Sequence, residues 1–432
     1  MSKKESIGIG LMGLGVVGSG VAQTLFEKSN AIAQQVGCPL EIKRILVRDP
    51  SKKRAMDLPQ NLLTKDPLRI LNDSEIDIVI EVIGGETEAF RLIKGAVTRG
   101  KHVVTANKEV ISKHSSELFE LASKHRADIR YEASVGGGIP LIAPFKRDLL
   151  ANNILAIHAI INGTTNYILT RMAKDGLDFD TALKQAQKLG YAEPNPANDI
   201  EGVDAAYKLA ILATLAFRTE IRPDDIHYEG ISRLTARDFR YAKEFGYAIK
   251  LLAIAKKEKR SIQVRVHPAF VPEDLLLANV DGVFNAIQVE GDLVGRVIFY
   301  GRGAGSSPTA SAIVADVIQL AQNIRLGLRP KPQIKLLKNR RLTPMSQIRT
   351  RYYMRLTVVD SPGVLAKISK ILGDHSISIA SVIQKETDEK TGTAEIVIMT
   401  HPAQESALQK ALQKTSRLEV VKEIGNFIRV ED

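Results

Sequence analysis

Cysteine is nearly absent: Cys38 is the only one in 432 residues. No intramolecular disulfide can form, and neither can a metal cluster built from cysteines. A chain without disulfides suits a reducing compartment, so the expected location is the cytoplasm. Aldehyde oxidation through a thioester needs a nucleophilic cysteine. Cys38 falls at the end of the first crossover helix, away from any crevice at the strand ends, which argues against that chemistry. Long apolar runs are also missing, and no segment reads as a membrane span. Lys3 and Lys4 precede an apolar run, but Gly8, Gly10, Gly13, Gly15 and Gly18 interrupt it. It reads as strand, turn and helix rather than as a signal peptide. Net charge is +11, yet the basic residues are spread along the chain without a nucleic-acid-binding motif. Attraction of anionic small molecules accounts for the charge, and no nucleic-acid partner is expected.

The remaining composition, 44% hydrophobic and 25% charged, is that of a soluble globular protein. The length predicts about two to four domains. Ile7–Met12 reads as a buried strand and Val21–Gln34 as an amphipathic helix. Between them lies Gly13-Leu14-Gly15-Val16-Val17-Gly18. This is G-x-G-x-x-G in its proper setting, a dinucleotide-binding turn. Gly13 permits the turn, Gly15 lets the backbone approach a pyrophosphate, and Gly18 lets helix and strand pack closely. The helix N-terminus offers N–H groups to the phosphates. After a second strand, Ile42–Val47, come Arg48, Asp49, Lys52, Lys53 and Arg54. Arg48 with Lys52 or Lys53 suits a 2′-phosphate and favours NADP, whereas Asp49 keeps NAD open. A solvated basic turn is the competing explanation of this cluster.

Further strands are expected at Ile76–Ile83, ending in Gly84-Gly85, and at His102–Thr105, ending in Ala106-Asn107-Lys108. Another is expected at Asp128–Val135, running into Gly136-Gly137-Gly138. Residues 1–145 therefore form a Rossmann-type α/β domain. Residues 146–304 read as an α+β domain. It has a strand at Ile154–Ile161, a helix started by Asn162-Gly163-Thr164-Thr165, a helix at Thr181–Leu189, and alternating strands between 262 and 300. The helix start at Gly163 and Thr164 is a plausible cradle for a carboxylate, although simple N-capping explains it too. Residues 328–350, rich in Lys, Arg and Pro, read as a linker. Residues 351–432 follow a β-α-β-β-α-β pattern, a ferredoxin-like module.

The densest chemistry lies in Gly190–Lys208. Pro194 and Pro196 exclude a helix interior in its first half. Asn198 or Asp199 is expected to cap a helix running through Lys208. Asp204 and Lys208 share one face of that helix. Residues 209–217 are apolar all round, so the helix enters a core, and charges at its mouth are costly unless paired or functional.

Ala186-x3-Gly190-Tyr191-Ala192-x2-Asn195-Pro196-x2-Asp199-Ile200-x-Gly202-x-Asp204-x3-Lys208 resembles the signature of homoserine dehydrogenases. The resemblance implies that Thr105 and Lys108 meet nicotinamide and substrate. It implies a sodium-type site from Glu132 and the carbonyls of Val135, Gly137 and Ile139, a stretch that on its own reads as a hinge. It implies that the segment opening the helix Ala310–Ala321 returns to the nucleotide domain, completed by residues 305–327, and closes over the nicotinamide, with Gly305 as the contact. Asp360-Ser361-Pro362-Gly363-Val364-Leu365 resembles an ACT domain, which often binds amino acids between paired copies. Threonine is the effector the family's pathway implies, and a homodimer or homotetramer is the expected assembly.

A dinucleotide fold with an acid-rich loop implies hydride transfer. Interconversion of an alcohol and an aldehyde needs a proton donor or acceptor at the oxygen. With no zinc-ligand cluster in the sequence, lysine is left: Lys208 first, Lys108 as rival. Glu193 and Asp204 suit the ammonium of an amino acid, and Asp199 suits orientation of Lys208. The expected reaction interconverts L-homoserine and L-aspartate 4-semialdehyde. A non-enzymatic dinucleotide sensor and another amino-acid dehydrogenase are the alternatives.

Overall fold

The computed structural model describes residues 4–52, 58–259, 261–330, 336, 341–388 and 390–431, with Glu386 described by its backbone alone. Lys53, Arg54 and most of 331–340 lie outside the described residues. The chain divides into two compact units. One comprises Met1–Ile154, Tyr207–Asp224 and Val289–Asn339; the other comprises Leu155–Ala206, Asp225–Gln288 and Arg340–Asp432.

The first unit is built on a six-stranded parallel sheet. Its order is Leu63–Thr64, Leu40–Leu46, Ile7–Met12, Ile76–Glu81, His102–Thr105, Ile129–Arg130. Ile7–Met12 is buried throughout, which is why its sequence is an uninterrupted apolar run. Strand order reverses beside it, and a crevice opens at the carboxyl ends on both sides of that switch. Two elements differ from expectation. The helix foreseen over 21–34 is two helices, Val16–Glu27 and Ser29–Val36, because Lys28 leaves helical geometry. The turn lets Ile32 and Val36 join the same core as Val21 and Leu25. The strand foreseen over 128–135 is only Ile129–Arg130. The Glu132 N–H donates to Asp316 at 2.9 Å rather than to a neighbouring strand, and Glu132–Ser134 coils into a 3-10 turn.

The helix Ser306–Arg325, longer than its apolar pattern suggested, completes this unit from far along the chain. Its Ile313, Val317 and Leu320 share one apolar cluster with Ile7, Leu11, Val21 and Leu25. Ser306 Oγ donates to the Val16 carbonyl at 2.9 Å, tying this helix to the start of the first.

The second unit carries a large mixed sheet. From Ile154–Ile160 its strands run Tyr247–Lys257, Ser261–Pro272, Val421–Val430, Arg349–Val359, Thr393–Thr400, Ile379–Asp388. Tyr247–Lys257 pairs antiparallel with Ser261–Pro272, yet its sequence shows no alternation, because its central residues are buried on both faces. The C-terminal module follows the expected order, with helices Val364–Asp374 and Glu405–Thr415 between its strands. Its last strand pairs parallel with Ser261–Pro272, Ala269 opposite Arg429 and Phe270 opposite Val430, so one sheet runs through the module and its neighbour.

That junction is ionic. Arg355 donates to Asp238 at 2.9 Å and to Glu395 at 3.0 Å. Arg429 donates to Glu229 at 2.8 Å and to Glu405 at 2.7 Å, and Arg265 pairs with Glu431. Buried charges are costly unless paired and hydrogen-bonded, and here each has a partner. Burial pushes Glu229 up, but hydrogen bonds from His227 and Arg429 outweigh it and hold its carboxyl well below the usual range. Burial, reinforced by the charges of Arg429 and Arg265, pushes the His267 imidazole down to about 3. His267 Nε2 accepts from Arg265 Nε at 3.1 Å, so its ring is neutral with the proton on Nδ1, facing the Pro268 carbonyl at 2.9 Å.

Two outcomes follow from this packing. A Cβ at residue 18 would lie 2.2 Å from the Gly13 carbonyl oxygen. Gly18→Ala is therefore expected to destabilise the first unit by roughly 1–3 kcal/mol, read as a lower denaturant midpoint. The unfolded chain protonates His267 near its ordinary 6.5, whereas the folded chain does not until about 3. Stability should therefore fall as pH drops below 6.5, by roughly 1.4 kcal/mol per pH unit from this group. Glu229 and Glu431 add to the loss at lower pH, because their folded carboxyls titrate below the unfolded ones. Calorimetry between pH 7 and 5 should show a shallower slope for His267→Gln than for the wild type.

Candidate active site

At the switch point of the parallel sheet lies a cleft of about 580 Å³, lined by Gly13, Gly15, Arg48, Asp49, Lys52 and Lys65. Gly13 has φ +105 and a Cβ there would meet the Val82 carbonyl at 2.7 Å, so glycine is required. Gly15 caps the helix Val16–Glu27 with no side-chain cap, leaving its first N–H groups for an anion. Leu14 also lines the cleft, Val16 is exposed, and Val17 packs on the core. Asp49 turns towards its own loop, accepting from Ser51 N at 3.0 Å and from Ser51 Oγ at 2.7 Å. Arg48, Lys52 and Lys65 line the same cleft, together with Glu88. Lys65 was not legible in sequence, because the strand before it is only two residues long.

A buried acid that the sequence did not single out organises the next strand ends. Glu81 is fully buried and accepts from Thr105 Oγ1 at 2.6 Å and from Ile83 N at 2.9 Å. Burial raises its pKa. Thr105 Oγ1 in turn accepts from Asn107 N at 3.0 Å. Thr105 is thus turned inward and is fully buried. Asn107 caps the helix Lys108–Lys124 by accepting from Val110 N at 3.1 Å. Its amide donates to the Gly85 carbonyl at 2.6 Å, bridging the two strand ends. Lys108, half-buried, is the first residue of that helix. One turn on, Lys113 pairs with Glu86 at 2.6 Å and lies 5.4 Å from the centre of the Tyr207 ring, the residue before Lys208.

The Glu132 loop is tightly constrained. Glu132 Oε1 accepts from Leu141 N at 2.5 Å and Ile142 N at 2.8 Å, and Oε2 accepts from Ala143 N at 2.7 Å. The carboxylate thus caps the helix Ile142–Lys146, a use not foreseen. One Oε2 lone pair remains. Val135 and Ile139 are buried, and Gly136 and Gly137 have φ +76 and +57. Gly305 has φ +120 and stands as N-cap of Ser306–Arg325 without a side-chain cap bond. Gly303, two residues earlier, presses on Gly137, where a Cβ would be 2.5 Å from its carbonyl oxygen. Gly305 and the Glu132 loop are thereby held near each other.

In the second unit, Asn162 gathers the acidic segment. Its Oδ1 accepts from Thr165 N at 2.9 Å, capping the helix Gly163–Asp175. Its Nδ2 donates to Asp199 Oδ1 at 2.7 Å and to Asp204 Oδ2 at 2.9 Å. The spacing of the two acids alone did not reveal this shared partner. The single helix expected from Asn198 or Asp199 to Lys208 is broken. Ala197–Ile200 is a short helix, Gly202 takes φ +84, and a new helix runs Val203–Phe217. The break turns Asp199 back towards Asn162. Asp204 is buried and Asp199 half-buried. Lys208, one turn beyond Asp204, is half-buried rather than enclosed. Thr164 Oγ1 donates to the Tyr191 carbonyl at 2.6 Å. Gly163 is pressed against the Val283 carbonyl, 2.9 Å from where a Cβ would be. Glu193 is exposed, flanking the same segment.

Comparison with known proteins shows the family. The homoserine dehydrogenase family model matches residues 140–318, its NAD-binding domain matches 13–132, and an ACT domain matches 352–420. The homoserine dehydrogenase of Neisseria gonorrhoeae is 40% identical over 433 residues, covering 99% of both chains. A crystal structure of a homoserine dehydrogenase from Thiobacillus denitrificans superposes with a TM-score of 0.92 at 43% identity, over 99% of this chain and 98% of that one. A hyperthermophilic archaeal homoserine dehydrogenase in complex with NADPH matches with a TM-score of 0.62 at 28% identity, over 76% of this chain and all of its own. A Rossmann-type sheet, an acid-rich helix mouth and full-length likeness to these enzymes lead to one conclusion: the chain belongs to the homoserine dehydrogenase family, NAD(P)-dependent oxidoreductases, and carries a C-terminal ACT domain.

Proposed function

We propose that this enzyme interconverts L-aspartate 4-semialdehyde and L-homoserine with NADP(H) in preference to NAD(H), and that Lys208 moves the proton. The observation that carries the substrate assignment is Asn162, whose single amide holds Asp199 and Asp204 together. Two carboxylates brought this close favour a cation between them, and the α-ammonium of the substrate supplies it. Glu193 adds a third acid at the rim. The N–H groups of Gly163 and Thr164 face the α-carboxylate, at a helix end where negative charge is favoured. The substrate's far end, with the reacting oxygen, then extends towards the helix face bearing Lys208. When bound, the nicotinamide cofactor supplies or accepts the hydride equivalent. Lys208 gives a proton to the oxygen during reduction and takes it back during oxidation. Lys108, fixed by the Asn107 cap, holds the substrate in place.

The cofactor preference rests on the rim of the cleft. Asp49 accepts from Ser51 within its own turn, and Arg48, Lys52 and Lys65, which line the cleft, are the cations assigned to a 2′-phosphate. The NADPH complex of the archaeal relative agrees with that choice. A sodium-type ion fits the Glu132 loop in part: one Oε2 lone pair and the carbonyls of Val135, Gly137 and Ile139 would hold it, in a structural role. The ACT domain takes an amino-acid effector, threonine in this reading, and the working assembly is a homodimer or homotetramer. No helix among the described residues is long and apolar enough to cross a membrane, and the cytoplasm is the proposed location.

Two kinetic experiments test this. NADPH oxidation with aspartate semialdehyde should lose about 10²–10⁴-fold in kcat in Lys208→Ala, with the KM for NADPH unchanged. Lys108→Ala should chiefly raise the KM for the semialdehyde. The reverse pattern would exchange the two roles, and no turnover by folded wild type would sink the enzymatic reading. Arg48→Ala should raise the KM for NADPH by roughly tenfold or more and leave that for NADH nearly unchanged, since only the former presents a 2′-phosphate. Equal effects on both cofactors would return Arg48 to a solvated basic turn.

A further inference from the structure

Two helices that carry proposed site residues are joined by Lys113. Lys108 opens the helix Lys108–Lys124, and Lys208 lies in the second turn of Val203–Phe217. Lys113, on the first helix, places its ammonium 2.6 Å from Glu86 Oε2. The same ammonium lies 5.4 Å from the centre of the Tyr207 ring on the second helix. Tyr207 is the residue immediately before Lys208. Glu86, Lys108, Lys113, Tyr207 and Lys208 all belong to the first compact unit.

The anchor of this bridge is Glu86. It stands at the head of the helix Thr87–Val97, directly after Gly85. Its Oε1 faces His114 Nε2 at 2.8 Å, and the His114 ring stacks on Phe90 with centroids 4.2 Å apart. Hydrogen bonds from Lys113 and then His114 hold its carboxyl below the usual range. The Gly85 carbonyl accepts from the Asn107 amide at 2.6 Å, and Asn107 caps the helix that begins at Lys108. The loop 84–86 is therefore tied to that helix twice, by Asn107 at its start and by Lys113 and His114 further along. The hydrogen bond to Glu86, with a smaller contribution from Tyr207, raises the pKa of Lys113 against the opposing effect of burial.

An ion pair as exposed as this one, about a third on either side, contributes little to stability. Its geometry matters more. A lysine ammonium has three donors and is attracted to an aromatic ring at this distance, so it can serve a carboxylate and a tyrosine together. One side chain thereby links the loop 84–86, its own helix and the helix of Lys208.

We propose that Glu86 and Lys113 are positioning residues for proton transfer, acting through Tyr207 on Lys208. The bridge sets Lys208 against Lys108, so that one lysine reaches the reacting oxygen while the other holds the substrate. Neither Glu86 nor Lys113 exchanges a proton with the substrate. The assignment rests on the reading of Lys208 as the residue that moves the proton.

Steady-state NADPH oxidation with aspartate semialdehyde, run in H2O and in D2O, tests the bridge. Lys113→Met removes an ammonium from a partly exposed position, so the denaturant midpoint should stay at the wild-type value. Its kcat should fall roughly ten- to hundredfold, the effect of misplacing a reacting group by about an ångström. The KM for NADPH should be unchanged, and the solvent isotope effect on kcat should rise, because the proton is delivered less readily. Lys113→Arg, which keeps the charge and its donors, should recover most of the lost kcat. Tyr207→Leu should reproduce Lys113→Met, and a wild-type kcat there would overturn the route through Tyr207. A wild-type kcat in Lys113→Met would reduce the bridge to a surface ion pair and overturn the proposal. So would a lower kcat with an unaltered solvent isotope effect, the mark of a purely structural role. Lys208→Ala separates this failure from failure of the catalytic reading. If it is inactive while Lys113→Met is normal, the bridge alone falls. If Lys208→Ala turns over like the wild type, the proton assignment falls and the bridge with it.

Discussion

The amide of Asn162 is the contact on which the proposed substrate site depends. Its nitrogen donates to Asp199 and Asp204 while its oxygen closes the N-terminus of the helix Gly163–Asp175. Two carboxylates would separate if left to their mutual repulsion. One neutral donor shared between them holds them together. The same side chain sets them at a helix end whose N–H groups favour negative charge. In the proposed reading, acids for the ammonium and donors for the carboxylate of the substrate are fixed by this one residue.

The first unit uses a similar economy with opposite sign. Glu81 is buried beneath the strand ends and is spent on Thr105 and the Ile83 backbone. That places Asn107, which caps the helix carrying Lys108 and bridges to Gly85. Glycine does the rest: Gly13 and Gly18 bring strand and helix within contact distance, and Gly15 leaves the helix N-terminus without a side-chain cap, the proposed seat of the cofactor's phosphates. Near the Glu132 loop, close approach again replaces side chains, with Gly137 pressed on Gly303.

The C-terminal ACT domain is not tethered loosely to the second unit. Its last strand continues the sheet of its neighbour, and Arg355, Arg429 and Arg265 are each neutralised by carboxylates across or beside the seam. Buried pairs of this kind contribute little net stability, but removing one partner is costly, so they enforce a single register.

Much was determined by the sequence itself. The parallel fold follows from apolar runs ending in glycine, the ACT domain from its alternating strands and helices, and the acid-rich helix mouth from Gly190–Lys208. These are local patterns, set by periodicity, by glycine and proline, and by the cost of burying charge. Tertiary structure alone decided what depended on distant partners. Glu81 looks like any strand residue until Thr105 is beside it. Glu132 became a helix cap because Leu141, Ile142 and Ala143 fold back over it. Tyr247–Lys257 was hidden because burial on both faces erases alternation. The turn at Gly202 split an expected helix, and Asp199 is held instead by Asn162, some forty residues away. Hydrogen-bond partners separated this far leave no spacing to read, and only the folded chain brings them together.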